Sequence, residues 1–184
     1  MRIVGGKFRG RTLKSPASKA IRPTSDRLRE SIFNILVHAY DDPISDARVL
    51  DLFAGTGALG LEAMSRGASY VLFVEEAAEA RALIRENVES LALTGASKIF
   101  RRDAAKLGDR GPMQPFNLVF CDPPYGQGLV EKSLLAARDG QWLAASALVV
   151  VEEAVKAGFQ TPEGFDELER RAYDDTEIII IRTH

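Results

Sequence analysis

Asp51-Leu52-Phe53-Ala54-Gly55-Thr56-Gly57-Ala58-Leu59-Gly60 is the stretch on which the fold turns. It leads from an apolar segment, residues 47–54 (ARVLDLFA), into residues 58–66, whose pattern predicts a helix. Open α/β sheets build ligand sites in this way, where a strand ends at the carboxyl edge and a helix begins. Gly55 and Gly57 let the backbone turn sharply and approach a ligand with no Cβ in the way. The N–H groups at the helix start can hold a carboxylate or a phosphate. Glu75 closes the next apolar segment twenty positions after Gly55. An acid there can accept hydrogen bonds from ribose hydroxyls.

Gly55, Gly57 and Gly60 also satisfy G-x-G-x-x-G, so the loop alone fits a dinucleotide as well as a methyl donor. A plain connecting turn is a third reading. Asp51 separates the first two: an acid just inside the strand can receive a cationic amino group, whereas a pyrophosphate gains nothing from it.

Outward from this loop, short apolar strands are expected at 47–54, 70–75, 98–103, 116–121, 147–152, 166–173 and 176–182. Helices are expected at 58–66, 77–92 and 128–138, with Leu83, Ile84, Val88 and Leu91 on one face of the second. Runs such as Leu148-Val149-Val150-Val151 suit a sheet covered on both faces. The alternation makes this an α/β fold with a mostly parallel sheet. The last two strands leave no room for a helix and are expected to form an antiparallel hairpin at one edge. Before the first strand, a helix begins near Thr24 or Ser25, with Leu28, Ile32, Ile35, Leu36 and Ala39 near helical spacing. Residues 2–14 read as a glycine-rich hairpin, followed by a linker with Pro16 and Pro23.

The second motif, Asp122-Pro123-Pro124-Tyr125, follows the apolar strand 116–121 and projects at the same edge. An exocyclic amine on a nucleobase is a poor nucleophile because its lone pair is delocalised into the ring. The Asp122 carboxylate and the Pro123 carbonyl, accepting its two N–H groups, would polarise it and aim the lone pair at an electrophile. Prolines fix φ and remove competing donors, so that carbonyl is held in place. Tyr125 offers a flat face for a base drawn out of its stack. A surface turn is the alternative for this tetrad.

The 184 residues, 46% hydrophobic and 27% charged, describe one ordinary globular domain with a modest appendage. No apolar run approaches the ~18 residues of a membrane helix. The start is too polar for a secretory signal, and the single cysteine, Cys121, excludes an internal disulfide and fits a reducing cytoplasm. Net charge is −2, but residues 1–29 carry nine basic side chains against Asp26, which is +8. The other 15 basic and 25 acidic residues give −10. Such asymmetry points to a polyanion held at one end, the alternative being a solvated basic arm.

Together these motifs resemble class I, S-adenosylmethionine-dependent amino-methyltransferases acting on nucleic acids. Arg2-Ile3-Val4-Gly5-Gly6-Lys7-Phe8-Arg9-Gly10-Arg11 and Arg22-Pro23-Thr24-Ser25-Asp26-Arg27-Leu28-Arg29-Glu30-Ser31-Ile32-Phe33-Asn34 look more specifically like the RsmD family, and the likeness spans the whole chain. That resemblance implies a Rossmann-like seven-stranded sheet with one antiparallel strand. It implies a basic arm and linker at 1–23, and a helix plus methyltransferase domain at 24–184. It also implies transfer of methyl from S-adenosylmethionine to N2 of a guanine in 16S ribosomal RNA, guanine 966 in the RNA's own numbering, with no metal.

By the same resemblance Asp51, Gly55 and Gly57 border the methionine part of the donor and Glu75 its ribose. Asp103 and Ala104 approach the adenine, although Asp103 also reads as a helix cap. Ala77 departs from the pattern, since many relatives carry an acid there; this leaves the ribose to Glu75, with Glu76 as a substitute. Asp122, Pro123, Pro124 and Tyr125 receive the guanine, and Asp122 needs no raised pKa for this. Arg2, Lys7, Arg9, Arg11 and Lys14 grip RNA phosphates, with Arg22, Arg27 and Arg29 close enough to help hold RNA or donor. The partner is 16S ribosomal RNA, naked or within a subunit; the expected setting is cytoplasmic, the expected state a monomer. An adenine-N6 methyltransferase shares Asp-Pro-Pro-Tyr, and a non-catalytic RNA-binding module is the alternative of another class. An NAD oxidoreductase has no use for Asp-Pro-Pro-Tyr. His38 and His184 suggest no metal site, Cys121 and Trp142 read as buried packing groups, and Glu152-Glu153 ends the fifth strand, where it could border the pocket.

Overall fold

A computed structural model of the chain describes residues 1–17 and 24–184. Ser25 opens the first helix, α1 (Asp26–Ala39), by accepting a hydrogen bond from the Leu28 N–H, and Asp26 sits in its first turn. Strand β1 (Arg48–Leu52), helix α2 (Ala58–Ser65), strand β2 (Tyr70–Val74), helix α3 (Ala78–Ser90) and strand β3 (Ser97–Phe100) then alternate. Strand β4 (Phe116–Cys121), helix α4 (Leu129–Asp139) and strands β5 (Leu143–Ala154), β6 (Phe165–Tyr173) and β7 (Thr176–Thr183) complete the fold. The expected elements are all present, with ends shifted by a few residues; β5 extends four residues earlier than expected.

The sheet order is β3-β2-β1-β4-β5-β7-β6, with β7 antiparallel to both neighbours. The terminal hairpin therefore exists, but its second strand is inserted between β5 and the edge strand β6. Hydrophobicity explains the choice: Ile178–Ile181 are buried, whereas β6 is charged and mostly exposed, as an edge should be. Alternate residues of each inner strand feed two cores. Val49, Phe73, Phe120 and Val150 face α1, α2 and α3; Leu50, Val74, Cys121 and Val151 face α4. This two-sided burial is why the strands lack polar alternation. Trp142 is buried and stacked on Phe116, and burial pushes the Cys121 thiol up to about 12, so both are packing groups.

From β1 the chain steps outward through β2 and β3 on one side and β4 and β5 on the other, which opens a crevice at the carboxyl ends. Residues 1–14 close as a hairpin by one antiparallel bridge, Arg2 to Thr12, and otherwise by turns. Ile3 and Leu13 enter the core from this hairpin.

Candidate active site

The glycine loop is shaped by positive φ at Phe53 (57°), Gly55 (59°) and Gly57 (81°). A left-handed phenylalanine is uncommon and costs on the order of 1 kcal/mol, so the loop carries local strain beside the crevice. Gly60 serves another purpose. A Cβ there would stand 2.6 Å from the Phe73 ring and 2.8 Å from Val71, so only glycine lets α2 approach β2. Its N–H donates to Asp51 Oδ2 at 3.0 Å.

Asp51 is 1% exposed at the end of β1. Removal from water raises its pKa from 3.8 to about 8; the Gly60 N–H opposes this and the Glu75 charge adds to it. The folded protein thus keeps a proton that the unfolded chain releases near pH 4. Stability should fall as pH rises between about 4 and about 8, by up to ~1.4 kcal/mol per pH unit from this group. Unfolding midpoints of wild type and Asp51→Asn across that window check it; the asparagine variant should show the shallower decline.

Glu75 follows β2 and accepts the Gly55 N–H at 2.8 Å and the Ala77 N–H at 3.0 Å, tying the two loops together. Asp103 accepts the Ala105 N–H at 2.9 Å, so it does cap a short helical turn, and it also lines the crevice beside the buried Ala104. Asp51, Gly55, Glu75, Asp103 and Ala104 thus line one cavity of about 700 Å³, within the range of small-ligand sites. Gly57 stands one step behind, as the left-handed cap of α2. Acceptor set and charge suit a nucleoside bearing a cationic amino acid: a buried acid whose proton an arriving ammonium would displace, and Glu75 for paired hydroxyls.

Asp122, Pro123, Pro124 and Tyr125 line the same cavity from the end of β4. The chemistry asks for no raised pKa at Asp122, yet its carboxyl is raised well above 3.8. Its removal from water is the main cause, followed by the neighbouring Glu152 charge. Thr24 Oγ1 lies 3.0 Å from Asp122 Oδ2 and 3.0 Å from Glu152 Oε2. Tyr125 donates to Glu152 Oε1 at 2.6 Å and meets Thr176 Oγ1 at 3.0 Å. In the sequence Glu152 reads only as an acid at the end of a strand, and Thr24 only as a helix cap. Neither has a local signal, because Thr24 lies 98 and 128 residues from Asp122 and Glu152, and Tyr125 lies 27 residues from Glu152.

The basic residues divide. Arg2, Lys7, Arg9, Arg11 and Lys14 are exposed on the hairpin, away from the cavity. Arg11 donates to the Ser90 carbonyl at 2.6 Å and Lys14 pairs with Glu86 at 2.7 Å, so both also anchor the hairpin to α3. Arg22 lies outside the described residues. Arg29 corrects the expectation of a ligand-facing cation: it is 0% exposed and spent internally. Its guanidinium meets Glu62 Oε1 at 3.4 Å, the Thr24 carbonyl at 3.1 Å, Asp26 at 2.8 Å and the Arg2 carbonyl. Among the described residues no group of three His, Cys, Asp or Glu is arranged for a metal, and no helix is long and apolar enough to cross a membrane.

The chain matches the family described as Conserved hypothetical protein 95 over residues 1–182. It is 42% identical over 162 residues to ribosomal RNA small subunit methyltransferase D of Escherichia coli, covering 88% of this chain and 78% of that protein. Against the protein of the same name from Haemophilus influenzae it is 32% identical, covering 93% and 88%. Among solved structures, the Escherichia coli protein yhhF superposes with a TM-score of 0.84 at 34% identity, covering 100% of this chain and 97% of that one. The Rossmann-like sheet is the class I methyltransferase fold. With the hairpin, glycine loop and Asp-Pro-Pro-Tyr all falling inside the matched span, the chain belongs to the Conserved hypothetical protein 95 family, that is, the RsmD family.

Proposed function

We propose that this protein transfers a methyl group from S-adenosylmethionine to the exocyclic N2 of a guanine in small-subunit ribosomal RNA. The observation that carries the reading is one cavity lined on one side by a buried acid and a glycine loop and on the other by Asp-Pro-Pro-Tyr. The relatives are named as methyltransferases of small-subunit ribosomal RNA, which supports the choice of RNA. When bound, the donor supplies a sulfonium methyl group, open to direct displacement.

The chain's own groups then hold and orient. Asp51 receives the donor's ammonium beside Gly55 and Gly57; Glu75 accepts from the ribose; Asp103 and Ala104 border the adenine. Asp122 and the Pro123 carbonyl accept the amine hydrogens and aim its lone pair, while Pro124 and Tyr125 support the base. No strong base is needed, since the amine sheds its proton readily once methylated, and positioning with preorganised charge supplies most of the acceleration.

Arg2, Lys7, Arg9, Arg11 and Lys14 hold the RNA backbone, and the substrate places the reaction in the cytoplasm, with the protein acting as a monomer on 16S ribosomal RNA or its subunit. Among the described residues the Arg9 guanidinium makes no ion pair or hydrogen bond; only its backbone N–H is engaged, on the Gly6 carbonyl. Arg9→Ala should therefore weaken RNA binding and lower the slope of log affinity against log salt by about 1, measured by titration at several salt concentrations.

The test of the function is incubation with labelled S-adenosylmethionine and, separately, naked small-subunit RNA, small subunits and DNA, followed by nucleoside analysis. N2-methylguanosine from an RNA arm is expected. N6-methyladenosine from any arm would establish the adenine alternative instead, and no labelled product would leave only a binding role.

A further inference from the structure

The wall of the cavity opposite the glycine loop is rich in acceptors and short of hydrogens. Asp122 and Glu152 bring four carboxylate oxygens to it, and the hydroxyls of Thr24 and Tyr125 face them. Thr24 Oγ1 stands 3.0 Å from both carboxylates, yet a hydroxyl has one hydrogen to give. One carboxylate receives it; the other must bring its own proton or stand lone pair against lone pair. Tyr125 gives its hydrogen to Glu152 Oε1, so Thr176 donates to the Tyr125 oxygen. Glu152 is thereby clamped at both oxygens and only 6% exposed, with lone pairs to spare. Glu153 has another use. It points to the opposite face of β5 and accepts the Gly126 and Ala154 N–H groups at 3.1 and 2.8 Å.

A base entering here has to bring donors. Guanine presents two N2 hydrogens and N1–H side by side, three donors in a row. Adenine presents two amine hydrogens beside N1, which is an acceptor. We propose that Glu152 determines the choice of base: its carboxylate, held by Thr24 and Tyr125, accepts guanine N1–H while Asp122 and the Pro123 carbonyl accept the N2 hydrogens. This assignment rests on the guanine-N2 reading above. An adenine turned into the same seat sets its N1 lone pair against the Glu152 carboxylate, and the site is left with an unpaired charge.

The test uses two small-subunit RNAs that differ only at the methylated nucleotide, one with guanine and one with 2-aminopurine. The latter keeps the 2-amino group but has an unprotonated N1. Wild type should favour guanine by about 30-fold in kcat/KM. Glu152→Gln, whose amide can turn either a carbonyl or an NH2 toward N1, should bring the ratio within about threefold. Thr24→Val, which frees one Glu152 oxygen, should bring it partway. The O6 atom that 2-aminopurine also lacks cancels when the enzymes are compared.

A purely structural Glu152 would slow both RNAs equally and leave the ratio alone, which would overturn the proposal, as would a wild-type ratio near one. An unchanged donor dissociation constant shows that each variant is folded, and if Glu152→Gln fails that check the Thr24→Val ratio decides. Should wild type methylate neither RNA at N2, the functional reading itself fails and this inference falls with it.

Discussion

Asp122→Ala is expected to slow methyl transfer by about 1000-fold or more while the donor's dissociation constant stays within a few-fold. The size follows from what is lost. Removing a single preorganised group that faces developing charge commonly costs ~100- to 1000-fold. Asp122 also sets the direction of the amine lone pair, so misalignment adds to that loss. The donor is spared because Asp51, Gly55 and Glu75 line the other side of the cavity.

Loss through unfolding is separable. Asp122 is an acid whose charged form is penalised by removal from water and by Glu152, so deleting it should leave the unfolding midpoint unchanged or higher. Single-turnover rates and a donor titration on the same preparation check both halves. Transfer at wild-type speed would remove Asp122 from the mechanism. The sign with pH is also set. Only the ionised carboxylate accepts the amine hydrogens without offering one back, so the rate should rise with pH through the raised Asp122 ionisation. Asp122→Asn should lose that acid limb.

The second large effect is expected at Arg29→Met, which should destabilise the protein by about 3 kcal/mol and lower the unfolding midpoint by roughly 10 °C. The guanidinium and the Glu62 carboxylate are each 0% exposed, so deleting one strands the other without water. Glu62 keeps Arg66 at 2.9 Å and the Val4 and Gly5 N–H groups at 2.9 Å each, which limits the loss. Adding Glu62→Leu should not rescue the variant, because those two N–H groups would then lose their acceptor. Methyl transfer should fall as well. Arg29 holds the Thr24 carbonyl, and the Thr24 hydroxyl meets Asp122 and Glu152, so the hairpin and the reactive loop share one support. A thermal unfolding scan and a rate measured well below the midpoint distinguish the two consequences.

These residues mark where local pattern stops being informative. Strand β4 is legible to its ends, because six residues of a strand buried on both faces must nearly all be apolar. The glycine loop and Asp-Pro-Pro-Tyr are equally legible, since each meets a backbone demand within ten residues. Arg29 reads as one more cation in a +8 segment, and nothing nearby says that Glu62 lies across from it. Glu152 and Glu153 are adjacent and chemically identical in the sequence, yet strand alternation sends one to the cavity and the other to the Gly126 loop.

By itself the sequence determined the α/β class, the strands and helices to within a few residues, the two loops at one sheet edge, and the family resemblance. These depend on periodicity and on short contiguous motifs, which a chain displays along its own length. Only the tertiary structure decided that β7 lies inside β6, that Arg29 is buried, and that Thr24 bridges Asp122 and Glu152. The physical reason is burial. A polar side chain becomes structural or reactive once water is taken from it and a partner supplied, and here the partners lie 33, 98 and 128 residues apart.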